Sequence, residues 1–371
     1  MLFRRIVLFL FSCSTLFAVN RIDYQLRDLI DSQQKLQKAA PVQVIVQTEN
    51  GKFEAITEAG GVVGSTAGPF ATVTLPAFSL PSLTEHPEIV YIAGSSLQQP
   101  HNDVATAVTG LQDAVAAGYT GNEVLLGIID TGIDITHPGF QHENGDTRIL
   151  WLWDQTESTT GLVGGKFSYG QEYTAAQINA GQYLVDRAKS LDRPIVINLS
   201  LGSQLGPHDG TDPETAFVDW LAQDDVMIVR SAGNDGDSFI HDRVQASSTV
   251  EDMAFTTSSN GSILYLNGWY GGDAKASLKL QWPDGALSGF VPYGEQASLS
   301  HNGMNIEIIN SPYGPESFNN DNQFFIKLSG NIPAGSWKIS VKTDKPATVD
   351  VWMYEADSNS GFEFADKDKH F

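Results

Sequence analysis

Val124-Leu125-Leu126-Gly127-Ile128-Ile129-Asp130-Thr131-Gly132-Ile133-Asp134 is the stretch on which the fold of this chain turns. Its first six residues are apolar or glycine without alternation, which predicts a central parallel strand buried on both faces under helices. The run stops at a carboxylate and a tight Thr-Gly turn. Open α/β sheets place their sites at that carboxyl end of a strand. Asp130 therefore reads either as a site residue or as a helix-capping Asp at a strand–loop junction. Pro194-Ile195-Val196-Ile197-Asn198-Leu199 and Val226-Met227-Ile228-Val229 have the same texture, each after a helix candidate, Gln177–Leu191 and Thr215–Ala222. Strands alternating with helices predict βαβ units, a parallel sheet and an α/β fold.

Upstream, an amphipathic helix is predicted from Ile22 to Leu36, and Pro41–Ala93 reads β-α-β-β-α-β. That is the order of a small ferredoxin-like unit, or of a plain structural domain. Gly94–Thr120 reads as a linker and a surface helix. From Met253 onward, Leu278–Trp282, Asn305–Ile309, Phe324–Leu328, Trp337–Lys342 and Thr348–Met353 are short alternating strands between Gly, Pro and Asn turns. They predict a β-sandwich or jelly-roll domain at 253–356. Its Trp residues read as core, whereas an exposed row of them would favour ligand binding. The tail from Asp357 is polar.

The 371 residues suffice for two or three domains, and 41% hydrophobic content excludes a mainly disordered chain. With 22 Lys plus Arg against 44 Asp plus Glu, the net charge is −22, which disfavours nucleic acid and anionic lipid surfaces as partners. Met1–Ala18 has the basic start, apolar centre and small-residue end of a secretory signal, too short for a transmembrane anchor. The expected location is therefore secreted, periplasmic or cell-surface. The single cysteine, Cys13, lies inside that signal, and a lipid attachment there is the alternative. Cleavage after Ala18 would leave no disulfide and no thiolate site.

Two more segments carry candidate chemistry. In Ser231-Ala232-Gly233-Asn234-Asp235-Gly236, glycines flank an Asn whose amide could serve an oxyanion hole, or which makes an ordinary Asn-Gly turn. Ile197-Asn198-Leu199-Ser200-Leu201-Gly202 is a strand running into an edge that could line a cleft. Taken together and in this order, the three segments resemble the subtilisin-like (subtilase, S8) serine peptidases. Their Asp-Thr-Gly-Ile-Asp-x-x-His-Pro, Asn-Leu-Ser-Leu-Gly and Ser-Ala-Gly-Asn-Asp-Gly match three family landmarks. The resemblance implies a three-layer parallel-sheet domain at 102–250, with a polypeptide substrate. It implies that Asp130 orients a catalytic histidine and Asn234 is the oxyanion donor. Ser200, Leu201 and Gly202, with Ser231, Ala232 and Gly233, would line the substrate. Residues 41–93 would be the propeptide, folding aid and inhibitor of its own enzyme, and the β-rich region an insert.

The departures are large. A triad needs serine, histidine and carboxylate in one constellation. The family's His-Gly-Thr-His motif belongs between the Asp and Asn-Leu-Ser-Leu-Gly segments, yet no His stands between His142 and His208. The family's Gly-Thr-Ser-Met-Ala serine motif occurs nowhere between Asn234 and Phe371. His137 belongs to the His-Pro that accompanies this Asp and is not the base. No metal or other cofactor is identified: His137 and His142 lack helical ligand spacing, and a structural calcium, for which Asp and Asn are abundant, has no loop matching the Asp-x-Asp-x-Asp-Gly pattern. The expectation is a serine endopeptidase by family, incomplete and inactive in this form. A secreted non-catalytic binding protein using the β module is the alternative.

Overall fold

The computed structural model describes residues 21–23, 26, 41–94, 99–100, 111–130, 132–153, 174–222, 225–233, 235, 238–257, 261–354 and 361–362. Met1–Ala18 with Cys13, most of the helix predicted after Ile22, Asn234 and most of the tail from Asp357 lie outside the described residues.

The N-terminal module consists of β1 (Pro41–Thr48), α1 (Glu54–Glu58), β2 (Val62–Ala67), β3 (Phe70–Pro76), α2 (Leu80–Thr84) and β4 (Ile89–Gly94). Its antiparallel sheet has the order β2-β3-β1-β4. Val44, Ile45 and Val46 are all fully buried. The reason is the pleat: Val44 and Val46 face a core with Ile56, Val73 and Leu80, while Ile45 faces the next module.

That next module holds β5 (Gln99–Pro100), α3 (Leu111–Ala116), β6 (Leu125–Ile129), α4 (Thr174–Ser190), β7 (Ile195–Leu199), β8 (Leu201–Gly202), α5 (Pro213–Leu221) and β9 (Val226–Arg230). Strands β6, β7 and β9 form a parallel sheet in the order β6-β7-β9. Asp212 starts α5 by accepting the Thr215 amide at 3.0 Å, with Pro213 in the first turn.

The strand at Leu125–Ile129 is not central and not buried on both faces, which corrects the sequence reading. It is an edge strand, with Leu126 69% and Ile128 40% exposed. Met227 and Val229 of β9 are exposed on the same grounds. The core below the sheet joins Leu125, Ile129, Ile197 and Leu199 to Val185 and Ala188 of α4. An uninterrupted apolar run cannot by itself report how many faces are covered.

The N-terminal sheet seats its second face on α4 and α5. Ile45 and Phe70 pack with Ile178, Phe217 and Leu221, and the Phe70 and Phe217 rings lie 6.1 Å apart. The Thr72 hydroxyl donates to Asn179 Oδ1 at 2.6 Å. Gly68, at φ +54°, turns the β2–β3 hairpin against Trp220, where any Cβ would meet the indole at 2.7 Å.

The β module comprises β10 (His241–Ala246), β11 (Glu251–Thr257), β12 (Gly261–Gly271), β13 (Ala276–Gln281), β14 (Val291–Pro292), β15 (Glu295–His301), β16 (Met304–Asn310), β17 (Asp321–Ile332), β18 (Gly335–Thr343), β19 (Ala347–Tyr354) and β20 (Gly361–Phe362). Two antiparallel sheets, β10-β19-β12-β17-β16-β15 and β14-β13-β18-β11-β20, share one core containing Phe255, Phe324, Trp282 and Trp337. Because β10 pairs with β19 in register from His241 to Ala246, the β module starts at His241. That moves the expected boundaries at 250 and 253 upstream. Trp282 and Trp337 lie in that core, Trp269 is buried outside it at 5% exposed and Trp352 is half-buried, so the described Trp residues of the module form no exposed row.

Candidate functional site

Parallel register aligns Ile129 with Leu199 and Leu199 with Arg230. The residues that follow those three positions therefore emerge along one carboxyl-end edge. They are Asp130, exposed; Ser200, 7% exposed; and Ser231, half-buried. The edge is knit by short polar links. Ser231 N donates to Leu199 O at 3.2 Å, and Asn198 Nδ2 donates to Ser200 Oγ at 2.9 Å. Gln204 Nε2 donates to Asp235 Oδ2 at 2.8 Å, joining the loops after β8 and β9. Leu201 is buried and Gly202 half-buried; Ala232 is exposed and Gly233 turns the chain at φ +98°. Asn234 lies outside the described residues, so its amide has no assigned position.

Three of the described histidines, His137, His208 and His241, each have their own local setting. His137 Nδ1 accepts the Gly139 amide at 3.0 Å in a short 3-10 turn after Asp134. His241 Nε2 contacts Asp350 Oδ1 at 2.8 Å, and Arg243 Nε donates to the same oxygen at 2.6 Å. Burial raises the Asp350 pKa, but these two bonds more than offset that and hold it below the usual carboxylate range. His208, at φ +56°, stacks its ring 4.1 Å from Trp352, and His241 stacks on the same indole at 4.6 Å. The β module thus grips the loop that follows β8. Asn267, fully buried, adds to this grip by accepting the Gly206 amide at 3.0 Å. Among the described residues, no group of three or more His, Cys, Asp or Glu is disposed to hold a metal ion, and no helix is long and apolar enough to cross a membrane.

The sequence reading of Gly94–Thr120 as a linker missed one element. Gln99–Pro100 forms strand β5, paired antiparallel with Leu201–Gly202, Gln99 opposite Gly202 and Pro100 opposite Leu201. A local signal existed, since the residue before a proline is pushed toward extended backbone. What it pairs with is long-range and carries no local signature.

Comparison with solved structures finds a similar fold in a protease. The chain superimposes on the CspB protease of Clostridium perfringens with a TM-score of 0.59 and 19% identity, over 67% of this chain and 65% of that one. The likeness gives the chain a subtilase-related fold of mixed sheets with few helices. In sequence, the chain is similar to the minor extracellular protease Vpr of Bacillus subtilis (strain 168), 26% identical over 170 residues, which is 37% of this chain and 21% of Vpr. It therefore spans about a fifth of Vpr and just under two thirds of CspB in length. No family model matches the chain.

Proposed function

We propose that this chain is a secreted subtilase-type protein, a serine endopeptidase by family that does not hydrolyse peptides in this form. The observation that carries the reading is the short antiparallel pairing of Gln99–Pro100 with Leu201–Gly202. The edge expected to hold an extended substrate is occupied by an extended segment of the same chain, held by main-chain hydrogen bonding as in strand addition. In this reading Asp130 is the triad carboxylate and Asn234 the oxyanion donor, and Ser200–Gly202 and Ser231–Gly233 flank the peptide. Residues 41–93 are a ferredoxin-like propeptide domain that stays docked on α4 and α5, and the β module is a jelly-roll-like insert. Secretion through Met1–Ala18 agrees with the extracellular location in the name of Vpr.

Inactivity follows from chemistry. The triad carboxylate stabilises an imidazolium, and oxyanion donors stabilise charge that only a nucleophile creates. With neither the histidine nor the serine motif among the 371 residues, no motif supplies the triad's proton acceptor or its attacking oxygen. An otherwise intact site without its triad retains roughly 10³–10⁴-fold over water. That is too little to detect against a working peptidase. Purified full-length chain should leave casein and peptide esters uncleaved, and Asp130→Ala should change nothing. Cleavage that disappears in Asp130→Ala would overturn the proposal.

A further inference from the structure

In a chain with twice as many acids as bases, positive charge collects on one outer face of the β module. Strands β13 and β18 pair Leu278 with Val341 and Leu280 with Ile339, all fully buried, so the alternate positions Ser277, Lys279, Lys338 and Lys342 point away from the core. Lys279 Nζ lies 4.9 Å and Lys342 Nζ 4.6 Å from the centroid of the same Phe290 ring. Lys275 Nζ lies 5.5 Å from the Tyr293 ring. Phe290 is 38% exposed.

The carboxylates nearby are already committed. Asp252 takes Lys338 at 3.1 Å and the Ser340 hydroxyl at 2.6 Å. Asp273 stands 3.8 Å from Lys345, and Asp344 accepts the Lys275 amide. Among the described residues, Lys275, Lys279 and Lys342 stand in no ion pair. Two ammonium groups drawn to one ring repel each other, and an anion between them would remove that cost.

We infer that this face of β13 and β18, with Phe290 and Tyr293 at its border, binds an acidic polysaccharide. The unpaired cations are spread along the strands: Lys275, just before β13, and Lys279 within it are four residues apart, at most roughly 14 Å at strand rise. Such spacing suits a polymer with recurring carboxylates and not a single small anion. An acidic peptide is the poorer match, because β13 and β18 are paired on both sides and offer no free backbone for strand addition. Ser277 and the aromatic borders instead present hydroxyl and ring surfaces suited to sugars. The −22 net charge does not forbid this, since charges beyond about 8 Å are largely screened at physiological ionic strength. The inference is independent of the peptidase reading.

Affinity electrophoresis and calorimetry of the full chain, with polygalacturonate as probe and dextran as neutral control, test it. Polygalacturonate should bind and dextran should not, and raising the salt should weaken binding. The double variant Lys279→Gln/Lys342→Gln should bind about tenfold more weakly, as expected for two half-buried charge contacts near the surface. Phe290→Ala should weaken binding, and Lys52→Gln/Lys189→Gln should not. Absence of polygalacturonate binding, an equal loss in the Lys52/Lys189 control, or stronger binding of polyglutamate or DNA would each overturn the assignment. Unchanged circular dichroism of the variants separates loss of binding from loss of fold.

Discussion

Asp350 shows how one side chain can fix the acid stability of a module. It receives His241 and Arg243 on one oxygen, and its side chain is 15% exposed. Its pKa in the folded chain is depressed. A depressed carboxylate contributes stability that is fully present above its unfolded pKa, near 4, and is lost as pH falls through the folded value. Asp350→Asn should therefore destabilise the β module near neutral pH by about 1–3 kcal/mol, the range for charge-assisted bonds. That gap should shrink as the pH is lowered below the ordinary carboxylate range. Thermal melts of both proteins between pH 7 and pH 3 check it, and a gap that stayed constant or widened toward low pH would contradict the assignment. Little of this was legible in the sequence, because His241, Asp350 and Trp352 are joined by strand register across more than a hundred residues. The position of Asp130 at the end of β6 was legible, because an apolar run ending in Asp-Thr-Gly is entirely local.

At the scale of elements, the docking of the N-terminal module and the β5–β8 pairing can be tested separately. Phe217 of α5 is fully buried against Phe70 and Ile45. Phe217→Ala should cost about 3–5 kcal/mol and speed limited proteolysis of 41–94. Val62→Ala, at a position 69% exposed, should change stability by less than about 0.5 kcal/mol. The β5–β8 pairing is tested by Gln99→Cys/Gly202→Cys in a Cys13→Ser background. Directly opposed antiparallel residues have Cα atoms about 4.5–5.5 Å apart, within disulfide reach. Mild oxidation should close the bridge, seen as a mass lowered by two hydrogens and no free thiol. Two free thiols after oxidation would contradict the pairing. The strands of the β module were partly legible from alternation, as at Trp337–Lys342 within β18. β12 was not. Its run Ile263-Leu264-Tyr265-Leu266-Asn267-Gly268-Trp269-Tyr270 has large residues facing both ways, since both faces are covered and Gly268 makes room for Phe324.

For the whole molecule, the sequence reading reached the kind of architecture and misjudged how far the Asp130 strand is covered. The three parallel strands lie in the expected neighbourhood, but the Asp130 strand is an edge. Residue pattern reports that a face is apolar; whether anything covers it is decided by elements elsewhere in the chain. We propose that this subtilase-related fold holds Asp130 in the place of a triad carboxylate without an activated serine. Labelling of the full chain with a fluorophosphonate, read by intact-protein mass, tests it most directly. The account predicts an unmodified mass for both the chain and Asp130→Ala, while an intact subtilisin labels in the same tube. One stoichiometric adduct that is lost in Asp130→Ala would contradict it.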